Sequence, residues 1–108
     1  ITSYDKALEF KPDDPDTWYN RGYALDYLGR WEEAIASYDK ALEFKPDDPG
    51  VFYNKACCYA LHGQADLSIQ NLQRAINLNP DKYREMAKTD SDFDKVRSHS
   101  QFQALIEE

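Results

Sequence analysis

Thirteen residues, Ser3 to Pro15 (SYDKALEFKPDDP), occur again without a change at Ser37 to Pro49, an offset of 34. Chance does not produce such a pair, so the fold is built from a unit used more than once. The same offset continues with more divergence. Trp18-Tyr19-Asn20-Arg21-Gly22 aligns with Phe52-Tyr53-Asn54-Lys55-Ala56, Gly29 with Gly63, Ile35 with Ile69, Ala41 with Ala75, and Pro46 with Pro80. This divides the chain into half a unit at 1–14, whole units at 15–48 and 49–82, and a non-repeating segment at 83–108. The chain opens in mid-pattern on Ile1-Thr2-Ser3-Tyr4, with no initiator Met, and reads as cut from a longer array.

Each unit reads as two helices. Asp14 and Asp48 are N-caps, and Pro15 and Pro49 occupy the first turn, where a missing N–H costs nothing. Trp18, Gly22 and Leu25 recur at helical spacing, as do Phe52, Ala56 and Tyr59. Gly29 and Gly63 can take positive φ and close the first helix. The second helix carries Ala34, Ile35, Tyr38, Ala41 and Leu42 on one face, matched by Ser68, Ile69, Leu72, Ala75 and Ile76, and Pro46 and Pro80 stop it. Small residues at 22, 34, 56 and 68 let paired helices approach closely, and Trp18 and Tyr38 fill the remaining volume. One pair cannot cover its own apolar face, so units stack.

The run from Trp18 to Pro46, W-Y-N-R-G-Y-A-L-x-x-L-G-R-W-E-E-A-I-x-x-Y-x-K-A-L-x-x-x-P, closely resembles the tetratricopeptide repeat (TPR). The next unit resembles it with departures: Ala65 stands for Trp31, and Ser68 for Ala34. Arg21 and Lys55 stand where the family usually has Leu, with stems expected to pack while the charges reach water. The resemblance implies an all-α fold of antiparallel helix-turn-helix repeats, stacked as a right-handed α-solenoid. A capping segment at 83–108 would close it. In that segment Tyr83, Met86 and Ala87 form an apolar stripe, Thr89 to Asp92 interrupts the helix, and Phe93 and Val96 suggest further turns. Ser98 or Ser100 would cap a last helix burying Phe102, Leu105 and Ile106.

The formal charge of −7 repels phosphate backbones, so nucleic acid is not an expected partner of the whole chain. No apolar stretch approaches the roughly 20 residues of a membrane helix, so no membrane partner is expected either. No leader with a basic start and apolar centre is present. Adjacent Cys57 and Cys58 give no disulfide framework, which fits a reducing compartment and a cytoplasmic location. His62 and His99 lie 37 positions apart and in no metal-ligand spacing. Asp13-Asp14 and Asp47-Asp48 lack the alternating oxygens of a calcium loop and read as caps. No catalytic residue, metal or cofactor is expected. Cys58 should be buried and Cys57 more open, since it aligns with Tyr23.

The resemblance implies that first helices line a concave groove for an extended peptide or a partner's helix. Mapped here, that groove is Asp16, Tyr19, Asn20, Tyr23, Asp26 and Tyr27, then Tyr53, Asn54, Cys57 and Leu61. Some TPR domains clamp acidic peptide ends with two Asn and three basic residues. Asn54, Arg84 and Lys88 fall at such positions, whereas Tyr19 and Tyr23 stand where the first Lys and Asn belong. The expected function is a scaffold or adaptor that binds a protein or peptide partner. Alternatives are self-association through the first helix, where Tyr4, Ala7 and Leu8 should be uncovered, and a regulatory arm of a larger enzyme.

Overall fold

In the computed structural model, residues 2–107 are described. They form helices α1 (Thr2–Phe10), α2 (Pro15–Tyr27), α3 (Trp31–Phe44), α4 (Pro49–Leu61), α5 (Ala65–Leu78), α6 (Pro80–Thr89) and α7 (Ser100–Glu107), with a 3-10 turn at Ser91–Phe93. No strand occurs among the described residues. The chain divides into two compact units, 1–51 and 52–108, the boundary falling in the first turn of α4.

The local signals work as their chemistry requires. Asp14 Oδ1 accepts from the Asp16 N–H at 3.1 Å and Oδ2 from the Thr17 hydroxyl at 2.9 Å, starting α2. The Thr17 bond holds the Asp14 carboxyl below its usual range. Asp48 repeats the cap for α4, accepting from the Gly50 N–H at 3.0 Å. Both first helices end in the same left-handed turn, at Gly29 (φ 80) and Gly63 (φ 75). There the Arg30 N–H reaches back to the Leu25 carbonyl at 2.9 Å, and the Gln64 N–H to Tyr59 at 2.9 Å. These six-to-one bonds satisfy carbonyls that a helix end otherwise leaves bare.

In the N-terminal unit α2 and α3 form an antiparallel pair, with Leu25, Ala34, Tyr38 and Ala41 buried. Gly22 allows the close approach, because a Cβ there would lie 2.7 Å from two ring carbons of Tyr38. The Trp18 indole N–H donates to the Pro12 carbonyl at 2.7 Å. Arg21 departs from the expectation that its charge reaches water. Its guanidinium lies over the Trp18 ring, pairs with Asp5 of α1 at 2.7 Å and donates to Ser37 Oγ of α3 at 2.6 Å. One side chain thus ties three helices. Leu8 also departs from expectation, being 8% exposed, whereas Phe10, which the sequence did not single out, is 92% exposed. Leu8 lies in the cleft that α1 shares with Trp18 and Arg21, and that cover shields it.

In the C-terminal unit α4 pairs with α5, where the buried Ser68 hydroxyl donates to the Ala56 carbonyl at 2.8 Å. The non-repeating segment then builds an aromatic cluster: Phe93 sits 5.4 Å from Phe102 and 5.6 Å from Tyr53, and Tyr53 sits 5.3 Å from Tyr83. Arg97 closes the end of α6, donating to the carbonyls of Ala87, Lys88 and Asp90. α6 runs through the 82/83 boundary between the second repeat and the final segment. The last helix begins at Ser100, buries Phe102 and Leu105, and leaves Ile106 half-buried.

Candidate functional site

Helical spacing puts Asp16, Tyr19, Asn20, Tyr23, Asp26 and Tyr27 on one face of α2. Its members differ in how far the fold has consumed them. Tyr19 is half-buried, with its ring 5.9 Å from that of Tyr38, and Asp26 is half-buried as well. Asp16 and Asn20 are exposed. Tyr23 is 59% exposed and Tyr27 87% exposed, one turn apart. Two rings standing in solvent at i and i+4 form a rigid, amphipathic platform with hydroxyl ends.

The matching face of α4 is different. Cys57, expected to be open, is 6% exposed, and Tyr53 is buried too. The final segment lies on this face. Asp90, at the end of α6, accepts from the Tyr53 hydroxyl at 2.7 Å and from the Cys57 thiol at 3.7 Å. Its other oxygen accepts from the Asp92 N–H at 3.0 Å, capping the 3-10 turn. Burial first, and then the neighbouring carboxylates, push the Cys57 thiol up, so it is protonated and a poor nucleophile at neutral pH. Burial and the bond to Asp90 likewise push the Tyr53 phenol up. Asn54 is half-buried and already engaged, and Leu61 is exposed with its carbonyl bonded to Lys95 Nζ at 3.1 Å.

Cys57, Asp90 and Asp92 place a thiol and two carboxylates within 4.8 Å of one another, the one such grouping with metal-ligand chemistry among the described residues. The bonds that Asp90 accepts give this cluster a structural role, fastening the final segment to α4. In the sequence Asp90 stands only within the run that interrupts the helix. Its partners lie 33 and 37 positions away, beyond the reach of local pattern.

Arg84 and Lys88 are not presented as an anion clamp. Arg84 Nε donates to the Leu105 carbonyl of α7 at 2.9 Å, and Lys88 pairs with Glu85 at 2.9 Å. Both line a depression with Asp81, Glu85 and Glu107, whose carboxylates would repel an acidic peptide end. A separate cleft of about 540 Å³ opens in the N-terminal unit, walled by Leu8, Pro12, Trp18 and Ala36 and rimmed by Asp5, Glu9, Arg21 and Lys40. Of its two cations, Arg21 is spent on Asp5 and Ser37, and Lys40 pairs with Glu43.

No helix of the described residues is long and apolar enough to cross a membrane. Tetratricopeptide repeat models match residues 15–48 and 37–70, and a TPR repeat model matches residues 1–26. A solved structure described as "MamA RS-1 ArsTM double mutant" superposes with a TM-score of 0.70 over 96% of this chain, at 22% identity. The chain spans 62% of that structure's length, and at this identity the likeness speaks to the fold. No curated protein matches the chain.

Proposed function

The chain belongs to the tetratricopeptide-repeat family, whose repeats generally mediate protein–protein interactions, and from that premise we propose that it is an adaptor holding a partner on the α2 face. The observation that carries this reading is the pair Tyr23 and Tyr27. Exposed aromatic rings cost solubility, and nothing in their own unit covers them. Asn20 beside them offers both a donor and an acceptor, the pair of groups that a peptide backbone needs. The occupant is an extended peptide or a helix laid along α2. Because the final segment occupies the matching face of α4, docking centres on α2.

Replacing Tyr23 and Tyr27 together with alanine should weaken partner binding at least tenfold, on the order expected for central aromatic anchors. Fold and helix content should stay intact, since both side chains stand in water. The measurement is quantitative capture of the natural partner, followed by titration of the recovered protein. Equal capture by the double variant and the parent would remove the α2 face as the docking site.

A further inference from the structure

The charge of this protein is unevenly placed, and the imbalance says what kind of partner fits the α2 face. Residues 1–51 hold twelve Asp and Glu against six Lys and Arg, a net of −6, while residues 52–108 hold eight against seven, a net of −1. Four of the six cations in the first unit are committed to ion pairs within it. Arg21 meets Asp5 at 2.7 Å, Arg30 meets Glu33 at 2.6 Å, Lys40 meets Glu43 at 3.0 Å, and Lys45 meets Asp48 at 3.8 Å. Arg30, the next cation after Tyr27 in the chain, grips Glu33 with two parallel bonds of 2.9 and 2.6 Å. That bond holds the Glu33 carboxyl low and the Arg30 guanidinium high, so both stay charged and matched.

The face itself carries carboxylates at Asp16 and Asp26 and no cation, since Arg21 turns away to Asp5 and Ser37. Tyr23 and Tyr27 are exposed on the same helix face, with Asp26 three positions after Tyr23 and Asp16 two turns before it. A ring face attracts a cation, and a planar guanidinium both stacks on it and binds a carboxylate through two bonds, which an ammonium does not. We propose that the occupant of the α2 face is a basic, arginine-bearing segment of a partner protein. This rests on the docking reading above and adds the partner's chemistry to it. The acidic unit also steers such a segment inward from a distance, an effect that salt screens.

The test is fluorescence anisotropy with labelled oligo-arginine, oligo-lysine and oligo-glutamate peptides of equal length, at low and high salt. Oligo-arginine should bind several-fold to tenfold tighter than oligo-lysine, and oligo-glutamate should not bind. Tyr23→Ala/Tyr27→Ala should abolish the arginine-over-lysine preference, and Asp16→Asn should weaken oligo-arginine several-fold. Glu9→Gln, the same loss of one charge from exposed α1, should leave binding within about twofold, because screening removes most of its distant influence. Equal binding of the two basic peptides, or an equal loss from Glu9→Gln and Asp16→Asn, would reduce the effect to net charge and overturn the proposal. Binding of oligo-glutamate would overturn it too. Loss of natural-partner capture by Tyr23→Ala/Tyr27→Ala, without oligo-arginine selectivity, would leave the docking reading standing and discard only the assignment of partner chemistry.

Discussion

Phe93→Ala is expected to destabilise the C-terminal unit by about 3–5 kcal/mol, the cost of emptying a fully buried aromatic site. Phe93 has no exposed surface and stands between the rings of Tyr53 and Phe102, at 5.6 and 5.4 Å. It comes from a three-residue 3-10 turn, which has little stability of its own and depends on that anchor. Losing the ring also loosens Asp90, whose cap and whose bond to Tyr53 hold the same turn. A domain of this size has about 5–15 kcal/mol in total, so the loss is a large share of it. Urea unfolding followed by far-ultraviolet circular dichroism should show the midpoint fall by roughly 2 M, given slopes of about 1–3 kcal/mol per molar. Phe93→Leu, which keeps most of the volume, should cost less than half as much. A loss below about 1 kcal/mol for Phe93→Ala would mean that the segment does not depend on this ring.

Gly22→Ala should destabilise the N-terminal unit although alanine is the better helix former. The propensity gain is about 1 kcal/mol. Against it, the new Cβ would lie 2.7 Å from Cδ1 and Cε1 of Tyr38 and 3.2 Å from the Ala34 carbonyl. Tyr38 is fully buried and cannot swing away, and overpacking of this kind costs about 1–3 kcal/mol. The second unit solves the same contact differently: Ala56 replaces Gly22, and Leu72 replaces Tyr38. A narrower partner leaves room for the methyl group. The sign of Gly22→Ala should therefore reverse in a Tyr38→Leu background, where it becomes neutral or stabilising by up to about 1 kcal/mol. A thermodynamic cycle of the four proteins reads this coupling. Equal effects in the two backgrounds would show that Tyr38 is not what forbids a Cβ at position 22.

The contrast between the units explains which features could be read from the amino acids. The caps at Asp14 and Asp48, the turns at Gly29 and Gly63 and the stops at Pro46 and Pro80 are local chemistry, and repetition marks them twice. The small-to-large pairing of helices is visible for the same reason. Arg21 was misjudged because its position in the repeat suggested a solvated charge. Asp5, 16 residues earlier, and Ser37, 16 later, decide otherwise. Tyr53 and Cys57 were placed on an open groove by analogy with Tyr19 and Tyr23. That analogy fails where a segment without periodicity lies on the face, because periodicity shows which side of a helix is apolar and not what covers the other side. Arg84 shows the same limit, since its acceptor is a backbone carbonyl of the last helix. On α2, by contrast, Tyr23 and Tyr27 stand exposed, while Tyr19 packs against Tyr38.

The docking role of that face is tested most directly by a photo-crosslinking amino acid placed at position 27, with the exposed position 39 of α3 as the control. Irradiation in the native host should join a partner protein to position 27 and not to position 39. Adding Tyr23→Ala and Asn20→Ala should remove the adduct while the fold persists. No adduct at position 27, or an equal adduct at position 39, would contradict the account.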